Sequence, residues 1–238
     1  MGQPKGYEQK EGGHKVYKLH KALYGLKQAP QAWFSRIKAH FTYEGFQKCI
    51  SEQTLFVKQI SRGKILIVSV YVNDLIFTRN DEQVMLEFKK SMMKVFDMTD
   101  LGKIRFFLDI KVLQKDNGIY ICQRKYALEV LRRFGMEESN VVMNPIVLGF
   151  KIGKNEKGNR IDETYYKQIV GNLMYITATR PNMMFVVSFI SRFMVRSTEL
   201  HLQAAKRVVL RYLKGTVNYG IFYKNDGNKQ FVAFIDCL

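Results

Sequence analysis

Apolar residues run almost without interruption along two stretches that flank Tyr71-Val-Asn-Asp. The runs Lys64–Val70 and Leu75–Thr78 are rich in β-branched and aromatic residues, which favours β-strands. A polar Asn-Asp pair between two such strands is typical of a tight turn. We therefore predict an antiparallel hairpin with Asn73 and Asp74 at its tip.

Apolar residues at helical spacing predict one helix on each side of this hairpin. Pro30 suits a first helical position and Gly45 suits a stop, so a helix is predicted between them. Asp81 is the predicted N-cap of the second helix. The predicted buried faces are Trp33, Phe34, Ile37 and Phe41 in the first helix, and Val84, Phe88, Met92 and Val95 in the second.

The remaining pattern is one further hairpin followed by helices and two strands. Asp116-Asn-Gly is a hairpin turn signal, and Gly135 is a good helix stop. Residues 139–160 show little periodicity, which predicts a connection. The other predicted elements are a strand at Thr54–Lys58, strands at Ile104–Leu113 and Gly118–Gln123, helices at 125–134, 163–177, 182–195 and 199–213, and strands at Thr216–Lys224 and Lys229–Ile235.

Composition and charge narrow the class of protein. The 238 residues are 47% hydrophobic and 25% charged, as in a globular chain, and the formal net charge is +17. That excess favours a polyanionic partner, with nucleic acid ahead of a membrane surface, although a basic protein that binds nothing is the simple alternative. No stretch reads as an export signal or a membrane span.

The cysteines and histidines argue against a disulfide framework and a zinc site. Cys49, Cys122 and Cys237 are an odd, widely spaced set, as expected for reduced thiols in the cytoplasm or nucleus of a cell. None of the four histidines has metal-ligand spacing to a cysteine. We therefore expect an intracellular protein without structural zinc.

Five segments, in order, resemble the reverse transcriptase region of Copia-type LTR retrotransposon Pol polyproteins. The resemblance covers nearly the whole chain from about Val16 and extends to the start of ribonuclease H. Long matches in a consistent order are more specific than one short motif. The segments are KLHKALYGLKQAPQAWF (18–34), YVNDLIF (71–77), GKIRFFLDIKV (102–112), YYKQIVGNLMYITATRPN (165–182) and HLQAAKRVVLRYLKGT (201–216).

This resemblance implies a template-directed polymerase site that uses Mg²⁺. The family's palm hairpin carries Tyr-Val-Asp-Asp, so Asp74 matches the second metal-binding aspartate and Asn73 stands at the first. The other implied site residues are Tyr71, Gly25, Lys27, Gln28 and Pro30 beside the template base and incoming nucleotide, and Phe107, Leu108 and Asp109 in the hairpin that grips the primer end.

The implied fold class is α+β, with a partial polymerase palm of antiparallel β-hairpins, a helical thumb and connection region, and a terminal β-hairpin. The expected division is a partial palm and thumb at 1–138, a linker at 139–162, a helical connection at 163–224 and a truncated start of ribonuclease H at 225–238. Asp236 would match the first catalytic aspartate of that ribonuclease H.

Two departures from the family pattern predict impaired catalysis. Two-metal phosphoryl transfer needs several carboxylates, because the paired cations repel each other. The family's upstream aspartate motif, Asp-Val-x-x-Ala-Phe, has no counterpart in residues 1–20, and Asn73 carries no charge. We therefore expect a truncated polymerase with weak or absent Mg²⁺ binding and little activity.

Four further departures concern the primer hairpin and the helices. Asp109 replaces a glycine and should repel phosphate, Asn182 replaces an aspartate, and Ser197 replaces a proline. One residue is inserted at Val208-Val209. An extra helical residue rotates all later residues of the helix by about 100°, so one side of that helix is expected to repack.

Three functions are consistent with these patterns. The first is an inactive polymerase remnant within a larger Pol polyprotein. The alternative is a non-catalytic module that binds an RNA–DNA hybrid or duplex, supported by the net charge and by basic residues beside the apolar stripe of the last helix. That stripe is Leu202, Ala205, Val209, Tyr212 and Leu213, and the basic residues are Arg207, Arg211 and Lys214. The third is assembly with an intact relative that supplies the missing aspartate.

Overall fold

The chain divides into two units, and the boundary lies between Gly102 and Lys103. The structure, a computed structural model, describes residues 26–145 and 158–225, together with the single positions Val16, Lys18 and Gly153. The predictions for Gly25, Asp236 and the strand at 229–235 lie outside the described residues. The expected four-part domain division stays a prediction.

The first unit packs two helices on an antiparallel sheet. The strand order is β1-β2-β3-β4, so the sequential strands are neighbours throughout. The elements are α1 (Ala29–Tyr43), β1 (Gln47–Lys48), β2 (Leu55–Ile60), a 3₁₀ turn (Ser61–Gly63), β3 (Lys64–Tyr71), β4 (Asp74–Arg79) and α2 (Glu82–Val95).

The core of this unit confirms the predicted helix faces except at the end of α2. Asp81 caps α2 by accepting a hydrogen bond from the backbone N–H of Val84, at 3.1 Å. Val95 was expected to be buried but is 42% exposed, whereas Phe96 is 4% exposed. The reason is that Phe96 leaves the helix in an extended conformation and turns inward.

The second unit combines another antiparallel sheet, in the order β5-β6-β7-β8, with a helical layer. Gly135 ends α3 as predicted, with a positive φ of 66° and a hydrogen bond from its N–H to the Arg132 carbonyl at 3.1 Å. The elements are β5 (Phe106–Phe107), β6 (Ile110–Lys115), β7 (Gly118–Cys122), α3 (Arg124–Arg133), α4 (Glu163–Ile176), a 3₁₀ turn (Pro181–Met183), α5 (Met184–Ser191), α6 (Glu199–Ala204), a π-helical turn (Ala205–Leu210), α7 (Arg211–Gly215) and β8 (Gly220–Lys224).

The segment in which the resemblance implies one extra residue forms a π-helical turn, Ala205–Leu210, between α6 and α7. A π-turn holds one more residue than an α-helical turn, so the helix on either side keeps its face. Val209, Tyr212 and Leu213 are accordingly buried together with Ala205. Repacking of the helix relative to the family stays a prediction.

Helices alone build the main core of the second unit, because its buried residues come from α3 to α7 and their connections. The strand expected from Thr216 begins at Gly220 and pairs with β7, Gly118 lying opposite Lys224. Both sheets are thus antiparallel in an α+β fold. None of the helices in the described part is long and apolar enough to cross a membrane.

Candidate catalytic hairpin and nucleic-acid surface

The predicted hairpin is present, with its loop one residue earlier than expected. Tyr71 pairs with Asp74, so the two-residue loop is Val72-Asn73 and Asp74 begins β4. Val72 has a φ of 49°, an unfavourable left-handed conformation for a β-branched residue. Asp74 is exposed, and its carboxylate lies at the end of the paired strands β3 and β4, next to the strained loop.

The pleat of β3 determines which face of the sheet carries this carboxylate. Leu66, Val68 and Val70 are buried in the core beneath the helices. Alternate residues point to opposite faces, so Tyr71 lies on the face away from that core. Cross-strand partners share a face, and Asp74 therefore lies beside Tyr71 on the open side of the sheet.

The hairpin tip offers one carboxylate for a metal, from Asp74, and a neutral amide from Asn73. Across the described residues, no three histidine, cysteine, aspartate or glutamate side chains gather into a metal-binding group. A two-metal centre needs several carboxylates to offset the charge of its cations. The residues described at this tip therefore do not fit a two-metal centre by themselves.

The segment before α1 exposes Lys27, Gln28 and Pro30 at the start of the helix. The Ala29 N–H donates to the Leu26 carbonyl at 3.0 Å, which closes a turn into α1. Gln28 is the N-cap and makes no side-chain capping bond. Few backbone donors are free at this end, because the Ala29 N–H is already bonded and Pro30 has no N–H. The exposed Lys27 ammonium is the group here that suits contact with a phosphate.

The hairpin β5–β6 presents the predicted primer-gripping residues around a tight turn. Phe107 pairs with Ile110, leaving Leu108 and Asp109 as the loop. Both loop residues have positive φ, at 46° and 58°. Two successive left-handed residues define a type I′ turn, whose second position usually holds glycine. This explains why glycine suits the position that Asp109 occupies here.

Asp109 shares a cavity with basic side chains. A cavity of about 250 Å³ lies beside the hairpin, and Asp109 lines it together with three cations. The expectation that this carboxylate repels phosphate stays a prediction. The lining residues are Phe106, Asp109, Lys111, Arg124, Lys125 and Leu128.

The basic side of the last helical segment is partly used for structural contacts. The Arg211 Nε donates to the Asn140 carbonyl. The Lys206 Nζ lies 5.1 Å from the centre of the Tyr165 ring. Lys214 is half-buried, and the side chain of Arg207 lies outside the described part of the structure. Two of these cations therefore already contact the protein itself.

Arg180 is a buried charge that was not identified as important from the sequence. It is 3% exposed and donates to the carbonyls of Thr216 and Tyr219, and to the Thr216 hydroxyl at 2.7 Å. Burial lowers the pKa of the guanidinium. These bonds attach the connection between α4 and α5 to the residues just before β8, a long-range role that no local pattern indicates.

Comparison with known proteins decides the family. A family model described as reverse transcriptase (RNA-dependent DNA polymerase) matches residues 1–148. The chain belongs to the reverse transcriptase family. Its resemblance to Copia-type Pol polyproteins is thereby confirmed.

Several relatives of this reverse transcriptase chain are transposon proteins. It is 38% identical over 237 residues to the retrovirus-related Pol polyprotein from transposon RE1 of Arabidopsis thaliana, with 99% of the chain covered. It is 34% identical over 226 residues to the Pol polyprotein from transposon TNT 1-94 of Nicotiana tabacum, with 91% covered. Identity to a transposon Ty5-1 protein of Saccharomyces cerevisiae is 29% over 98% of the chain.

The matched region is a small part of the larger relatives. The chain spans 16% of the RE1 polyprotein, 17% of the TNT 1-94 polyprotein and 76% of the Ty5-1 protein. No solved structure matches the chain significantly.

Proposed function

We propose that this chain is the palm-hairpin and thumb region of a retrotransposon RNA-directed DNA polymerase in which catalysis is impaired. The observation that carries the proposal is the register of β3 and β4, in which Asp74 lies opposite Tyr71 and Asn73 occupies the loop. The family match supports polymerase ancestry. The proposed partner is an RNA–DNA hybrid or duplex, and the wider context is a Pol polyprotein.

Asp74 is the proposed metal ligand. Reverse transcriptases use divalent metals, which stabilise the attacking and leaving oxygens of phosphoryl transfer when bound. Asn73 can offer an amide oxygen but no charge, and Mg²⁺ prefers charged oxygen ligands. A site that lacks a second carboxylate at this tip holds the cation weakly, so primer extension is expected to be slow.

A second candidate function is nucleic-acid binding without catalysis. It is favoured by the net charge of +17 and by the cavity that Lys111, Arg124 and Lys125 share beside the β5–β6 hairpin. Phosphate contacts of this type are independent of sequence, and they weaken as the salt concentration rises because counterion release becomes less favourable. The binding function does not depend on Asp74, whereas polymerisation does.

A titration of fluorescently labelled RNA–DNA hybrid with the full chain tests both candidates. We expect saturable binding whose affinity falls about ten-fold or more between roughly 50 and 200 mM salt. Asp74→Ala should bind as the wild type does if binding is independent of metal. Absence of binding at low salt would contradict both functions.

Primer extension with Mg²⁺ distinguishes the two candidates, because slow extension supports the impaired polymerase and no extension supports binding without catalysis. We expect a rate at least about 100-fold below that of an intact Copia-type polymerase assayed in parallel, as loss of a stabilising group commonly costs this much. Asn73→Asp should tighten Mn²⁺ binding, measured by calorimetry on the same chain. Extension by the wild type at the rate of the intact enzyme would refute the proposed impairment.

A further inference from the structure

The turn of the β5–β6 hairpin is conformationally unfavourable and needs support. Leu108 and Asp109 are successive non-glycine residues with φ values of 46° and 58°. Side chains at such angles approach their own backbone carbonyls too closely. The turn therefore keeps one orientation only if contacts outside the hairpin stabilise it.

Tyr175, on the last turn of α4, supplies such a contact. Its hydroxyl donates to the carbonyl of Leu108, a residue 67 positions earlier in the chain. The ring of Tyr175 meets the ring of Tyr126 edge-on, with centroids 5.1 Å apart and planes at 86°. The hydroxyl and the ring are thus both engaged, one by the hairpin turn and the other by α3.

Tyr126 is itself fixed by Asn172, one helical turn before Tyr175. The Tyr126 hydroxyl donates to the Asn172 Oδ1 at 2.9 Å, and Arg133 donates to the same oxygen at 3.2 Å. Burial raises the pKa of Tyr126, so its hydroxyl keeps the proton that it donates. A connected set of side chains from α3 and α4 therefore ends on the Leu108 carbonyl.

We propose that Tyr175 is a positioning residue for nucleic acid, orienting the Leu108-Asp109 turn against the strand that carries a recessed 3′ end. The inference rests on the proposed function, since it requires that the chain binds a primer–template. Lys111, Arg124 and Lys125 line the cavity beside the turn. The Arg124 Nε donates to the Asn218 Oδ1 at 2.8 Å, and the Lys125 Nζ lies 3.9 Å from Glu129, so Lys111 and the remaining donors of Arg124 and Lys125 supply the phosphate recognition. Tyr175 sets where the turn lies relative to them.

The substitution Tyr175→Phe tests this role because it removes the hydroxyl and keeps the ring against Tyr126. The full chain is titrated with two labelled RNA–DNA hybrids of equal length, one with a recessed 3′ end and one blunt. We expect affinity for the recessed hybrid to fall about five-fold, the range of one hydrogen bond, and affinity for the blunt hybrid to stay within about two-fold.

Tyr165→Phe is the matched control, since Tyr165 lies on the same helix and packs against Phe134. It should leave both affinities unchanged. A second measurement reports the position of the primer end directly. The fluorescence emission of 2-aminopurine at the primer's 3′ terminus, measured at saturating protein, should differ between wild type and Tyr175→Phe. The same probe placed about five nucleotides inside the duplex should not.

The outcomes separate the inference from the function on which it rests. If the wild type binds neither hybrid, the proposed function fails and the inference fails with it. If the wild type binds the hybrids, and Tyr175→Phe has the same affinities and the same 2-aminopurine emission as the wild type, the inference alone is overturned. An equal loss on both hybrids with a lower melting temperature would also overturn it, because Tyr175 would then serve stability only.

Discussion

The side-chain amide of Asn182 donates to the hydroxyl of Tyr212 at 2.6 Å, joining the 3₁₀ turn before α5 to α7. The Copia-type pattern has aspartate at this position. Tyr212 also lies close enough to the buried Arg180 to influence the pKa of that guanidinium. Position 182 is therefore near a buried cation whose hydrogen bonds go to Thr216 and Tyr219.

Asn182→Asp should stabilise the second unit. Tyr212 would donate to a carboxylate, a stronger hydrogen bond than one to an amide, and the new charge would favour the cationic Arg180. We expect the free energy of unfolding to rise by about 1 kcal/mol, measured by urea denaturation. Asn182→Ala is the control and should lower it. A lower stability for the aspartate variant would refute the argument.

Two substitutions at Asp109 separate charge from backbone conformation. Asp109→Asn and Asp109→Gly both remove a negative charge beside three cations, and both should tighten hybrid binding roughly two- to five-fold at low salt. The glycine variant alone relieves the left-handed position and should gain about 0.5–1 kcal/mol of stability. Hybrid titration and urea denaturation of the two variants measure these effects; equal stability of the variants would contradict the conformational argument.

Deletion of Val208 should convert the π-helical turn into a continuous α-helix. Since α6 and α7 already keep their buried faces on either side of this turn, we expect the free energy of unfolding to change by less than about 1 kcal/mol. Deletion of Gly171 within α4 is the matched control. It rotates Leu173 and Ile176 away from the core and should cost more than about 3 kcal/mol. Similar losses for both deletions would count against the π-turn as a compensating feature.

Acid should weaken the contact between α1 and α2. The Ser91 hydroxyl donates to Glu44 at 3.0 Å, and this bond, with help from Lys58, lowers the pKa of Glu44 from its ordinary value of 4.5. Because the folded pKa is the lower one, the carboxylate stabilises the fold above about pH 4.5, and this contribution is lost as the pH falls through the folded value.

Urea unfolding of wild type and Glu44→Gln, from about pH 7 to pH 3, measures this effect. The glutamine keeps an acceptor for Ser91 but does not titrate. The difference in stability between the two proteins should therefore shrink below about pH 4.5. A difference that is constant across this range would exclude Glu44 as the titrating group.

Local signals in the sequence predict much of this fold because their causes are local. Asp81 caps α2 through a backbone group three residues away, and Gly135 ends α3 through its own φ. At the end of α2, by contrast, helical spacing alone selects Val95, while the chain has already left the helix at Phe96. Periodicity does not report where a helix stops.

The residues of the candidate site also differ in whether the local sequence predicts them. Asn73 and Asp74 were identified from a short motif, because the hairpin that carries them is encoded by adjacent residues. The bond from Tyr175 to Leu108 joins two elements far apart in the chain, and Arg180 reaches the residues just before β8. Contacts of this kind depend on tertiary packing and have no periodic signature.

The pairing of β8 with β7 has a consequence for the order in which the chain folds during synthesis. Every strand that the described residues contribute to the first sheet precedes α2, so this sheet can form before the second unit is made. The second sheet is different, because β7 waits for Gly220–Lys224 to cover its edge. A nascent or truncated chain that stops before Gly220 presents that edge of β7 to other chains, which exposes this stage to aggregation.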